Sequence, residues 1–149
     1  MITRRSALGV GCAALLATAS PLPARAAPEV SRADAEAVRS VVEAQLAAFG
    51  ADDAERAFGY AAPNIRAMFG SADRFVAMVR EGYPVVYRPA SVAFLAPKPG
   101  SADGLVLQQV RMTDADGASW LVAYELERQS NKEWRITGCV AVRASGRTT

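Results

Sequence analysis

The sequence predicts an α+β fold, with N-terminal helices packed on a curved antiparallel sheet of four or more strands to form a cone-shaped roll. Three observations lead there. Apolar residues recur at three- and four-residue spacing up to Val79, then alternate singly from Val106 to Val140. The stretch Gly82-Tyr83-Pro84-Val85-Val86-Tyr87-Arg88-Pro89 divides the two regimes. Short turn signals join the alternating runs as hairpins, so a meander follows the helices and one apolar helix can lie across it.

The chain has 149 residues, enough for one domain with a real core and too few for two of ordinary size. Residues 1–26 are expected to be an export signal, leaving 27–149 as a single α+β domain. Thr3-Arg4-Arg5-Ser6 is a positive start, residues 7–19 are an apolar run, and Ala24-Arg25-Ala26 places small residues at a cleavage site. The run is short of the roughly 20 residues that span a bilayer, which favours removal over anchoring. Thr3-Arg4-Arg5-Ser6-Ala7-Leu8 also resembles the twin-arginine export motif, with Ala7 where that motif favours phenylalanine. An ordinary Sec leader remains the alternative. Either route makes the mature domain periplasmic, without a membrane anchor.

Without residues 1–26 the chain carries 14 basic and 15 acidic side chains, and nothing basic clusters, which argues against a nucleic-acid partner. There is no histidine, hence neither the commonest general base nor the commonest metal ligand. Cys12 falls in the leader, so Cys139 has no internal disulfide partner and reads as a small apolar strand residue. No metal-ligand cluster, phosphate-binding glycine loop or Ser/His/Asp set occurs, and no cofactor is implied.

The first helix starts at Ser31, a capping residue with Asp34 in the first turn. Its stripe is Ala35, Val38, Val42, Leu46 and Phe49, and it ends near Gly50. Asp52-Asp53 opens a short second helix with Ala57, Phe58 and Ala61 inward. Pro63 suits the first turn of a third, bearing Ile65, Met68 and Phe69 as core residues, with Gly70 as its stop. Ser71 caps a fourth with Phe75, Val76, Met78 and Val79, ending at Gly82 through left-handed backbone. The segment from Gly82 to Pro89 is expected to run extended, because each proline disfavours helix in the residue before it.

The strands follow at Ser91–Leu95, Leu105–Thr113, and in runs around Tyr124 and Ile136. Their inner rows are Val106, Gln108, Val110 and Met112; Trp120, Val122, Tyr124 and Leu126; Trp134, Ile136, Gly138 and Val140. A three-residue hairpin with Gly117 left-handed sets Gln108 opposite Tyr124. A second, with Asn131 left-handed, sets Tyr124 opposite Ile136 and Glu125 opposite Arg135, at the cost of facing Glu127 with Glu133. Gly138 serves either packing or a close approach to the sheet. Outside, Leu105, Leu107, Leu121, Ala123 and Ala141 leave an apolar strip through which a homodimer could form.

Gln45-Leu46-Ala47-Ala48-Phe49, Tyr60-Ala61-Ala62-Pro63, Phe69-Gly70, the run Met78 to Pro89, and Trp134-Arg135-Ile136-Thr137-Gly138-Cys139 carry a family likeness. Over nearly all of the mature chain the sequence resembles a bacterial family, domain of unknown function 4864, and the run through Pro84 and Pro89 is its most specific part. The resemblance implies an exported domain of the nuclear-transport-factor-like, or cystatin-like, cone type. It implies no activity and no catalytic residues.

Function then rests on single residues. Gln108 and Tyr124 are polar positions on an otherwise apolar face, and a buried amide needs a partner in protein, water or ligand. Arg88, between two prolines, can recognise a carboxylate together with Arg66, or else make a structural ion pair or cap a helix. Tyr60, Tyr83, Tyr87 and Tyr124 are available donors. These seven residues are the candidate ligand site, for a small apolar or acidic ligand. The alternative is a cofactor-free isomerase- or hydratase-type enzyme using tyrosines and a carboxylate. It is disfavoured because the carboxylates fall at helix starts (Asp34, Asp52, Asp53, Asp73) or on the outer face (Glu125, Glu127).

Overall fold

The computed structural model describes residues 22–24 and 29–145. The expected export signal lies outside the described residues, apart from 22–24. Among the described residues five helices precede a five-stranded antiparallel open sheet, an α+β arrangement. Among the described residues no helix is long and apolar enough to cross a membrane.

Helix α1 (Arg32–Gly50) begins as its sequence dictates. The Ser31 hydroxyl accepts the Asp34 N–H at 3.1 Å and donates to the Asp34 carboxylate at 2.8 Å. Its buried stripe is Val38, Val42, Gln45, Ala48 and Phe49, packed on the sheet at the strands Leu105–Thr113 and Trp134–Arg143. Helix α2 (Ala54–Gly59) is capped by Asp53, and Ala57 and Phe58 are buried. Helix α3 (Pro63–Phe69) has proline in its first turn and stops at Gly70, where φ is +73°. No residue of α3 is fully buried, and Met68, expected in the core, is 71% exposed. Helix α4 (Ala72–Gly82) is capped by Ser71. Its Phe75 ring meets Phe49, Phe58 and Phe69 at centroid distances of 6.1, 5.4 and 5.6 Å, which locks the four helices together.

The segment expected to be extended contains a fifth helix, α5 (Pro84–Tyr87). The proline rule itself holds: Tyr83 and Arg88, the residues before the two prolines, have φ near −134° and −140° and are not helical. The four residues between them are unrestrained by it, and Pro84 presets the first turn. Gly82 is likewise the last residue of α4 without positive φ; Tyr83 is the cap. The left-handed positions are instead Gly70, Gly104, Gly117, Asp52 and Lys132.

The sheet runs β1 (Ser91–Phe94), β2 (Lys98–Pro99), β3 (Leu105–Thr113), β4 (Ser119–Arg128) and β5 (Trp134–Arg143). Its order is β1-β3-β4-β5, with β2 pairing β3 further along the edge that β1 occupies. The first hairpin has the expected register, with Gln108 opposite Tyr124 and Gly117 left-handed. The second does not. Lys132, not Asn131, takes the left-handed position, because the Asn131 side chain instead accepts the Glu133 N–H at 3.0 Å and builds the turn. Arg128 therefore pairs with Trp134 and Glu127 with Arg135, which removes the expected clash between Glu127 and Glu133.

A β-bulge follows at Glu125/Leu126, where Leu126 pairs with Ile136 and Glu125 with Gly138. The extra residue, Thr137, exchanges the faces of the remainder of β5. Cys139 and Ala141 turn to the core, while Val140 and Val142, 59% and 58% exposed, join the outer face. The expected placements of Val140 inside and Ala141 outside are thus reversed. A Cβ on Gly138 would meet nothing within 4 Å, so no close approach occurs there; at Gly100, by contrast, a Cβ would lie 2.6 Å from the Leu105 Cβ, so that position requires glycine.

Candidate functional site

Between the helices and the inner side of β4 and β5 lies a cavity of about 290 Å³. Gln45 and Phe49 of α1 form one wall. Ile65, Met68 and Phe69 of α3 and Phe75, Met78 and Val79 of α4 form another, and Tyr124, Ile136 and Cys139 of the sheet form the floor. A short bridge fixes the rim: Ala62 N–H donates to the Ile136 carbonyl at 2.8 Å, and Ile136 N–H to the Tyr60 carbonyl at 2.9 Å. The bulge sets the composition of this floor, since it brings Cys139 rather than Gly138 opposite Tyr124 on the inner face.

Four residues that line the cavity carry polar side-chain atoms. The Tyr83 hydroxyl donates to the Cys139 carbonyl at 3.3 Å, tying the α4–α5 junction to β5. Gln45 donates through Nε2 to the Ala57 carbonyl at 3.1 Å, its one side-chain hydrogen bond among the described residues. Burial pushes the Cys139 thiol up to about 12, so it is a neutral thiol at ordinary pH. Among the described residues the Tyr124 hydroxyl has no hydrogen-bond partner, although the residue is only 1% exposed. Burial, and then the neighbouring Cys139, raises its pKa well above the usual tyrosine range, so it keeps its proton. An unsatisfied buried hydroxyl of this kind costs about 1–3 kcal/mol.

Of the seven residues singled out from the sequence, the structure brings Tyr83 and Tyr124 to this cavity. Gln108 is buried elsewhere, at the break between β1 and β2. Its Nε2 donates to the carbonyls of Leu95 (2.7 Å) and Gln109 (2.9 Å), the internal pairing that the sequence left open. Tyr87 and Arg88 form a separate cluster at the end of α1. There the Arg88 guanidinium caps the Phe49 carbonyl, lies 4.6 Å from the Tyr87 ring centroid and pairs with Asp52 at 2.8 Å. The Tyr87 hydroxyl donates to Asp52 and accepts from Arg80 at 2.9 Å. Arg66 is exposed over the Phe58 ring at 5.3 Å, and Tyr60 stands beside Arg56, whose pKa it raises.

Gln45 is the cavity residue that sequence reasoning missed. Its position was legible, three residues after Val42 and four before Phe49, within the apolar stripe of α1. Cys139 was read as a strand residue, and only the bulge shows which way it faces. Among the described residues the lining contains no carboxylate and no Lys or Arg. The base that an isomerase-type reading needs is therefore not supplied by the residues that form this wall.

A family model described as Domain of unknown function (DUF4864) matches residues 31–149. No curated protein and no solved structure matches the chain.

Proposed function

Because the chain belongs to the DUF4864 family, whose description assigns no activity, we propose from the site itself that the domain is an exported module that binds a small, mainly apolar molecule in the cavity. The observation that carries this is the hollow itself, about 290 Å³ and walled by apolar side chains of Phe49, Ile65, Met68, Phe69, Phe75 and Met78. Sites for small molecules are concave and mostly apolar with a few polar groups among the lining, which is the composition found here. The helices lying over a sheet with a hollow between them are consistent with the cone of nuclear-transport-factor-like proteins.

Native mass spectrometry of the protein recovered from the periplasm tests this directly. The expected result is a mature chain beginning near Ala27 with a retained small molecule, lost when Ile65→Trp fills the cavity. A ligand-free spectrum for the native chain, at concentrations where the fold is intact, would count against binding.

One observation favours a second reading, self-association through the outer sheet face. Val140 and Val142 stand there beside their cross-strand partners Ala123 and Leu121. Sedimentation of the native chain and of Val140→Glu decides it: a dimer that becomes monomeric supports the reading, and a native monomer excludes it.

A further inference from the structure

Resting on the second reading, self-association through the outer sheet face, we infer how two copies of this chain meet. They are related by a two-fold axis that runs across the strands at the level of Gln109, Ala123 and Val140, and Arg111 of each copy pairs with Glu125 of the other.

The outer face is built in levels, because cross-strand partners share a face. Gln109, Ala123 and Val140 form the middle one. Arg111, Leu121 and Val142 form the next level towards one end, and Leu107, Glu125 and Gly138 the next towards the other. A two-fold axis along the middle level exchanges these two and lays each strand near its own counterpart, as in aligned packing of sheets.

Charge selects this axis. Among the described residues neither Arg111 nor Glu125 belongs to an ion pair. Arg111 is exposed; Glu125 is half-buried and accepts the Ser101 N–H through Oε2 at 3.2 Å, which leaves Oε1 for a further donor. The axis sets Arg111 over the partner's Leu107, one strand, or about 5 Å, to the side of the partner's Glu125. Packed sheets lie about 10 Å apart, a gap that an arginine and a glutamate side chain span together. Lys98 shares the level of Leu107 and Glu125, but it is exposed on the outer edge of β2 and its ammonium reaches water. Glu127 faces Arg135 across its own sheet. A two-fold axis along the strands would instead lay each level on itself and gather like charges.

Shape agrees with charge. Val142, 58% exposed, comes to stand over the partner's Gly138, where a Cβ would meet open space. Residues 101–104 are exposed and Ser101 reaches Glu125, so this loop rises over one end of the face. The opposite end carries a depression of about 580 Å³ walled by Ser91, Ala93, Arg111, Thr113 and Ser119. The same axis brings the loop of each copy to the depression of the other, and it covers Val140 and Val142 of both.

Sedimentation equilibrium of the intact chain, of Arg111→Glu, of Glu125→Arg and of the two variants mixed tests this arrangement. The native chain should dimerise. Each variant alone sets like charge against like at both pairs and should dimerise at least about tenfold more weakly. The equimolar mixture should regain the native affinity, because the heterodimer has opposite charges at both pairs, and that recovery also shows both variants to be folded. A native dimer whose affinity neither substitution changes, or a mixture that associates no more tightly than its parts, overturns the arrangement and leaves the outer face to be decided by Val140→Glu. A native monomer overturns the arrangement together with the association reading beneath it.

Discussion

Tyr124 on β4 and Cys139 on β5 are cross-strand partners, and both line the cavity. They meet because one extra residue, Thr137, sits in β5 between Ile136 and Gly138. Among the described residues the hydroxyl of the first is unpartnered, and the thiol of the second is neutral, so the pair is polar without being charged. For the ligand-free protein this has an unusual consequence. Tyr124→Phe removes a buried hydroxyl that bonds to nothing, so it should raise stability, by about 1 kcal/mol. Denaturant midpoints of the two chains measure it, and a clear loss of stability would mean that the hydroxyl has a partner after all.

The same pair makes the fold sensitive to alkali. Burial pushes Cys139 up from 9.0 to about 12 and lifts Tyr124 well above its ordinary value. The unfolded chain releases these protons first, so above about pH 9 it binds fewer protons than the folded chain and stability falls. The contribution is whole below that pH and is lost as pH rises through the folded values, at up to about 1.4 kcal/mol per pH unit for each group. Urea midpoints at increasing pH should decline less steeply for Cys139→Ala than for the native chain. Parallel profiles would show that the thiol is not buried.

At the opposite sign stands Asp52. The Tyr87 hydroxyl, and after it the Arg88 guanidinium, hold its carboxyl below the usual carboxylate value of 3.8. Its stabilising effect is therefore present above the unfolded value and is lost as pH falls through the lowered, folded one. Asp52 has φ of +54°, a conformation that asparagine also tolerates. Asp52→Asn should thus flatten the acid limb of the thermal-midpoint profile without straining the turn. An unchanged acid limb would refute the contribution of the ion pair.

Gly100 and Gly138 should respond differently to alanine. At Gly100 a Cβ would lie 2.6 Å from the Leu105 Cβ and 2.8 Å from its carbonyl carbon. The hydrogen bond from Gly100 N–H to the Leu105 carbonyl, 2.8 Å long, has to open to admit it. Gly100→Ala is expected to cost about 1–3 kcal/mol, and Gly138→Ala, whose Cβ meets open space, to stay within about 1 kcal/mol. Equal chemical-denaturation midpoints for the two variants would contradict the packing described.

Local chemistry was legible in the sequence. Ser31, Asp53 and Ser71 cap helices, Pro63 starts one, Gly70 stops one, and Asp114 to Ala118 closes a hairpin, because each of these signals acts within a few residues of itself. The alternation of Val106 to Met112 and of Val122 to Leu126 likewise assigned the buried faces of β3 and β4. What required the tertiary structure was everything that one added residue can reverse. Side-chain direction along a strand has a period of two, so the bulge at Thr137 exchanged Val140 for Cys139 on the inner face, and no local signal announced it. Gln108 and Tyr124 were indistinguishable as polar residues on an apolar face. Only the distant break between β1 and β2 gave the first its partners, while the packing around β4 left the second without one among the described residues. Sequence determines which groups must be buried, but whether a buried group is satisfied depends on atoms brought from elsewhere in the chain.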